Sequence, residues 1–298
     1  MSDEVNEGGV SQRTELLLPE PAEALGGLLG VPVPDLAHGE SLPLLWHWVY
    51  LLDRPAQADL GPDGHPFRGS FPAPPGPGRR RMWAGGRVRS SGPLRCGVPA
   101  TKRSTVLSVT EKHGRSGRLT FVTLNHRIRQ DGQLVIDERQ DVVYREAASA
   151  SPQPEPAPTP AGPAPAGPAP AGPASAVQAG EDEWAVEISP ALLFRFSALT
   201  YNAHRIHYDR DYARDVEGYP GLLTHGPLQA IAMAEAARAV TRGGHHSALT
   251  FEYRLLSPLF DHQGMLVKAI AGDQGITSSV RDRYGRQTAA GTLRSANL

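Results

Sequence analysis

Residues 199–209 read "LTYNAHRIHYD" and set Asn202, His204, His207 and Asp209 within one short stretch. Imidazole titrates near neutral pH, so two of them beside an amide and a carboxylate suit proton transfer, metal ligation or an ordinary hydrogen-bonded loop. A metal would draw on His204, His207 and Asp209. That spacing matches neither the two-histidine helix motif nor a known tetrahedral pattern, so no metal is expected. Asp209, just before "RDYARDV", has the residue type and place of a helix N-cap. His207 is left as the candidate base, and His204 as a structural or substrate-shaping neighbour.

These side chains need elements to hold them. Ahead of the stretch, "PALLFRFSAL" predicts a short helix, and a second helix is expected near 209–216. After the loop "GYPGLLTHGP", the run "LQAIAMAEAARAV" (228–240) predicts a helix whose alanines let it lie tightly inside a sheet. Strands are expected at 248–255, 265–272, 275–283 and 286–294; Leu249, Phe251, Tyr253 and Leu255 alternate with polar residues, the period of a strand with one buried face. The N-terminal half repeats the plan. A helix is expected at 44–52, then a loop over 67–86 leading into a strand. The strand runs "STVLSVTEKHG", "GRLTFVTLNHRIRQDG" and "QLVIDERQDVVYRE" follow, with Asp131-Gly132 as a tight hairpin between the last two. Val122, Leu124 and Ile128 on one face, and Leu119 and Phe121 on the other, predict a sheet covered on both sides.

Between the halves, residues 147–181 carry an AGPAP unit that recurs every five residues and ten of the chain's 28 prolines. Such a segment has too little apolar surface to offset its ordering entropy and is expected to be a flexible tether. The expected division is an N-terminal domain at 1–146, this linker, and a catalytic domain at 182–298. The formal net charge of −1 and the 40% hydrophobic content indicate an ordinary globular protein and not a basic nucleic-acid binder. Only Lys102, Lys112 and Lys268 are lysines, so arginine carries nearly all the positive charge. Cys96 is the single cysteine, which rules out an intramolecular disulfide and a four-cysteine zinc site. The first residues lack the pattern of a signal peptide, and the run "LPLLWHWVYLL" is shorter than the ~20 residues that span a bilayer. A cytoplasmic location without membrane association is expected.

A helix of small residues followed by an antiparallel meander suggests a sheet wrapped around a helix, twice over. At "YNAHRIHYD" and "EGYPGLLTHGP" the C-terminal half resembles the MaoC-like, or (R)-specific enoyl-thioester hydratase, family. The family motif sets an acid or amide five residues before a histidine, then His-Gly at the start of the central helix. Here these are Asn202, His207 and His225-Gly226. The N-terminal half, at "LPLLWHWVYLLD", "RRRMWAGG" and "ERQDVVYRE", resembles the non-catalytic half of double members, in particular the mesaconyl-C4-CoA and itaconyl-CoA hydratase group and the mitochondrial 3-hydroxyacyl-thioester dehydratases. The resemblance implies an α+β double hot-dog fold with two antiparallel sheets, each wrapped around a central helix. It also implies reversible hydration of an α,β-unsaturated acyl-CoA, such as mesaconyl-C4-CoA, without metal or organic cofactor.

Under that reading His207 is the general base that takes a proton from water, and Asn202 holds the water. Where most of the family has Asp, Asn202 cannot exchange a proton, which leaves His207 as the main carrier. Gly226 offers the first amide of the helix to the thioester oxygen, with the helix's positive end behind it and Pro227 suited to the first turn. His225 positions the loop or substrate. Arg80 and Arg81 are candidates for the phosphates of CoA, and Arg205 and Arg254 for a substrate carboxylate, with surface ion pairing as the competing reading. The alternatives are a 3-hydroxyacyl-ACP dehydratase, a hot-dog thioesterase that uses Glu235 of the central helix, and a non-catalytic acyl-CoA binder. For Glu235 the plainer reading is a solvated or salt-bridged helix face. Expected partners are an acyl-CoA or acyl-ACP thioester and no nucleic acid, in a monomeric double hot-dog or a homodimer.

Overall fold

A computed structural model describes residues 4–6, 9–67, 71–72, 79–114, 117–146, 179–241 and 248–295. Nearly all of the Ala/Pro/Gly linker therefore lies outside the described residues. Alternating sequence builds β1 (Glu4–Asn6), β2 (Val10–Leu16), β3 (Arg79–Ser90), β4 (Pro99–Gly114), β5 (Gly117–Gln130) and β6 (Gln133–Glu146) in the N-terminal half. The C-terminal half contributes β7 (Glu183–Val186), β8 (Leu249–Leu255), β9 (Met265–Gly272), β10 (Gly275–Arg281) and β11 (Gln287–Ser295). Asp131 and Gly132 turn β5 into β6 with φ of 50° and 75°, the two positive values that the Asp-Gly signal predicts.

All these strands form one antiparallel sheet in the order β1-β2-β4-β5-β6-β3-β8-β11-β10-β9-β7. The halves join where β3 pairs with β8, from Gly85↔Arg254 to Ser90↔Leu249. A Cβ on Gly85 would lie 2.5 Å from the Tyr253 carbonyl oxygen, so glycine is what lets the two strands close at this point. Val122, Leu124 and Ile128 are buried as expected, whereas Phe121 on the opposite face is half-buried and lines an open groove.

The described residues form three α-helices, α1 (Pro19–Leu29), α2 (Pro190–Leu199) and α3 (Gly226–Val240), of which the last packs on the sheet. The last rests on β9, β10 and β11, and every side chain from Leu228 to Ala234 is buried, as alanine spacing allows. This is the expected hot-dog core. In the N-terminal half the helix expected at 44–52 shortens to one 3-10 turn, Trp46–Val49. Positive φ at Leu45 (70°) and Leu51 (52°) breaks the chain on both sides of it. Its side chains are pulled to different partners: Trp46 Nε1 donates to Glu235 (2.8 Å), while Trp48 Nε1 donates to Glu138 (3.0 Å) and His47 Nε2 pairs with the same carboxylate (2.9 Å).

The sequence reading missed α1, which packs against α2. It also placed a regular helix at 209–216, where the chain forms a π-helical turn at Tyr212–Val216. One hydrophobic cluster runs through both halves and includes Leu25, Trp46 and Val88 with Leu193, Ile231 and Phe251. Among the described residues, no helix is long and apolar enough to cross a membrane.

Candidate active site

The site is built where the loop after α2 meets the N-terminus of α3. Ser189 caps α2 by accepting from the Leu192 amide, and the helix ends at Leu199. The chain then turns through Tyr201, held at φ 52°, and Asn202 N donates back to the Ser197 carbonyl (2.8 Å). Asn202 Oδ1 accepts from the His204 amide (3.0 Å), a local turn that shapes the loop and leaves the side-chain NH₂ without an acceptor among the described residues. A 3-10 turn, Arg205–His207, carries the histidine inward.

His207 is buried and fixed by one bond. Its Nδ1 lies 2.7 Å from the Leu223 carbonyl oxygen, which can only accept, so in the neutral ring the proton sits on Nδ1 and the lone pair on Nε2. Leu223 N donates in return to Ile206 (2.9 Å), clamping the loop to the segment before α3. Burial drives the His207 pKa down to about 4, so the ring is a free base at neutral pH.

Its other face rests on His225. The two rings stack with centroids 3.6 Å apart and an 18° interplanar angle. His225 Nε2 hydrogen-bonds Ser197 Oγ (2.9 Å), and Phe196 meets the ring edge-on at 4.8 Å. Burial holds His225 well below the usual histidine range too. The next residue, Gly226, opens α3 and is half-exposed, so its amide is among the first of the helix, which lack intrahelical acceptors. A Cβ there would come within 2.2 Å of Leu255 Cδ1.

The sequence reading missed the contribution of the N-terminal half. His65 meets His204 edge-on, with ring centroids 4.1 Å apart, and His204 in turn lies 5.5 Å from His207. Burial pushes His65 down to about 3 and His204 well below the ordinary value. The loop that carries His65 docks on the loop that carries His207: Arg205 N donates to the Asp63 carbonyl (2.8 Å) and Arg205 Nη1 to that of Pro62 (3.0 Å). Gly64 fits against Ala203 with φ 82°, and a Cβ would lie 1.8 Å from the Ala203 oxygen. "PDGH" at 62–65 reads as a turn, and no local signal says that it reaches residues some 140 positions away.

Four sequence-based roles need correction or relocation. Arg205 is spent on Asp209 (2.7 Å) and stacks over Tyr212 at 4.0 Å, so it braces the loop and has no hand free for a substrate carboxylate. Asp209 also caps the next turn by accepting from Tyr212 N (3.0 Å), the N-cap expected of it. Arg254 is exposed on the outer face of β8, in a groove of about 1160 Å³ whose lining includes none of the histidines. The reason is strand alternation: its neighbours Phe251 and Tyr253 take the inner face. Of the plainer readings of Glu235, the salt-bridged one holds and the solvated one does not. Glu235 is buried, accepts from Trp46 and pairs with Arg238 (2.9 Å), and stands nine residues along α3, about 14 Å from Gly226 at helical rise. Arg80's side chain is outside the described residues, while Arg81, near the start of β3, is half-buried.

Of the set weighed from sequence for metal ligation, the Asp209 carboxylate is already engaged by Arg205 and the Tyr212 amide. Asp63, His65 and His204 do offer ligand atoms within 4.8 Å of one another. Asp63 Oδ1, however, accepts from His65 N (3.0 Å), and the positive charge of Arg81 bears on both imidazoles, an environment that opposes a cation.

A neutral, tautomer-fixed imidazole beside a helix N-terminus suits addition of water to an activated double bond. Comparison with known proteins points the same way. Residues 45–261 match the family model described as hydroxyacyl-thioester dehydratase type 2. The chain is 47% identical over 235 residues to the mesaconyl-C(4)-CoA hydratase of Chloroflexus aurantiacus, covering 78% of this chain and 74% of that protein. Its fold is similar to HtdX from Mycobacterium tuberculosis (TM-score 0.62, 15% identity, 95% of this chain and 99% of that one). It is also similar to a second M. tuberculosis protein described as a double hot-dog fold (TM-score 0.52, 17% identity, 98% and 96%). The chain has the double hot-dog fold, is a hydro-lyase of acyl thioesters, and belongs to the hydroxyacyl-thioester dehydratase type 2 family.

Proposed function

We propose that the chain hydrates a short, branched dicarboxylic enoyl-CoA of the mesaconyl-C4 type, and that the C-terminal half supplies the proton chemistry. The observation that carries this reading is the His207 Nδ1 bond to Leu223, because it leaves Nε2 as a lone pair with no competing proton. Water held between the Asn202 NH₂ and His207 Nε2 attacks Cβ. As the C–O bond forms, the proton passes to Nε2 and the double-bond electrons move towards Cα and the thioester oxygen. The Gly226 amide and the positive end of α3 receive that developing charge. The proton now on His207 is then delivered to Cα, which completes addition of one water, and the reverse sequence dehydrates the product. Asn202 contributes a donor and no proton.

The substrate reading is supported by the similarity to the Chloroflexus hydratase, and the site's histidines His204, His207 and His225 are buried. Carriage of the acyl group on an acyl carrier protein, or a longer acyl chain, is the alternative within the same chemistry. The test is a panel of mesaconyl-C4-CoA, crotonyl-CoA, a long-chain enoyl-CoA and the matching carrier-protein thioesters, with products identified by mass. Gain of one water, fastest on mesaconyl-C4-CoA, is the expected result. Release of free CoA would point to thioester hydrolysis, and preference for the carrier-protein thioesters to the alternative carrier.

A further inference from the structure

In a thioester of the mesaconyl-C4 type the free carboxylate is attached to Cβ, the very carbon that water attacks. The anion must therefore sit next to the base, among His207, His204 and His65. A carboxylate buried there is unfavourable unless donors or a counter-charge receive it. The imidazoles cannot supply the charge, because burial holds His65 near 3, His207 near 4 and His204 well below its usual range.

Arg81 can. On β3 it stands opposite Tyr144 of β6, and Trp83, two residues on, stands opposite Val142. Residues directly opposite in an antiparallel ladder share a face. Tyr144 and Val142 are both buried, and Trp83 Nε1 reaches inward to the Tyr253 hydroxyl at 2.7 Å. Arg81 therefore lies on the inner face, half-buried, and its charge is felt at both His65 and His204. Among the described residues no carboxylate is paired with it. Asp63 uses Oδ1 to hold the His65 amide. His65 Nδ1 is buried and has no hydrogen-bond partner, and in the Nδ1–H tautomer it is a ready donor.

We propose that Arg81 and His65, both from the N-terminal half, form a carboxylate-binding subsite that selects enoyl thioesters with an anionic group on Cβ; this rests on the hydratase reading above. Arg81 then serves the acyl end of the substrate and not the phosphates of CoA. The sequence divides the labour accordingly: one half performs the proton transfer and the other chooses the substrate.

The experiment compares mesaconyl-C4-CoA with 3-methylcrotonyl-CoA, which has the same skeleton with a methyl in place of the carboxylate. Arg81→Gln should lower kcat/KM on the carboxylate substrate by about 10- to 100-fold, the range of a lost hydrogen bond to a charged group, and leave the neutral one nearly unchanged. Arg81→Lys should recover part of the loss, and His65→Gln should give a smaller loss, chiefly in KM. Equal losses on both substrates would make Arg81 structural and overturn the inference. A wild-type enzyme that hydrates mesaconyl-C4-CoA, with an Arg81→Gln variant that does so equally well, overturns the inference alone. A wild-type enzyme that accepts only the neutral analogue overturns the substrate reading along with it.

Discussion

The imidazole of His207 lies flat on that of His225, with ring centroids 3.6 Å apart. His225 immediately precedes Gly226, so this stack holds the base and the first amide of α3 as one unit. Ser197 fixes the far side of His225, and Leu223 fixes His207. Neither ring can rotate without breaking a buried hydrogen bond. On the proposed mechanism, the proton acceptor and the oxyanion donor thus keep a set separation before substrate arrives, which is the condition for stabilising charge without reorganisation.

Replacing His207 with Ala should cut kcat by on the order of 10²–10⁴-fold, the contribution of a positioned general base. The base must be unprotonated to act, and its pKa in the folded site is about 4. The kcat/KM of the wild type should therefore stay level from neutral pH downward and fall only near pH 4. An acid limb at ~6.5, the ordinary histidine value, would show that the titrating base is a different or an exposed group. Initial rates of mesaconyl-C4-CoA hydration across the pH range decide between them.

Asn202→Asp keeps an oxygen for the His204 amide but exchanges the NH₂ donor for a carboxylate that can itself take up a proton. Appreciable activity with an altered pH profile is expected. Asn202→Leu loses both the turn and the donor and should forfeit most of the rate. Full activity in both variants would remove Asn202 from the mechanism.

Gly64→Ala tests the docking of the N-terminal loop. Its φ of 82° already disfavours a side chain, and the new methyl would meet the Ala203 oxygen at 1.8 Å. The loop has to move away from Ala203, and kcat/KM should drop together with the melting temperature. Gly27 in α1 is a matched control: a Cβ there meets nothing within 4 Å. Gly27→Ala should be neutral or stabilising by about 0.5–1 kcal/mol, with unchanged turnover.

Glu235→Ala should act on stability and leave the chemistry intact. It strips Trp46 Nε1 of its acceptor and Arg238 of its carboxylate, and unmet buried groups of this kind cost roughly 1–3 kcal/mol each. Glu235→Gln, which keeps the Trp46 bond, should be milder in thermal melts. A greater loss of turnover from Glu235→Ala than from His207→Ala would revive the thioesterase reading.

Some of this protein was set by local sequence. Asp131-Gly132 adopts the two positive φ values on which its hairpin depends, and the strand runs that follow α3 alternate as a half-buried sheet must. Alanine spacing lets α3 lie against that sheet. The motif "YNAHRIHYD" marked His207, and Asp209 caps its helix, because capping and alternation depend on neighbours a few residues apart. The rest depended on contacts between distant segments. Trp46 is drawn to Glu235 and Trp48 to Glu138, which breaks what reads locally as a helix. His65 carried no local signal, since its role comes from Gly64 meeting Ala203 across the junction of the halves. A one-dimensional pattern records which face a residue takes. Which distant face it then meets is decided only when the sheet closes.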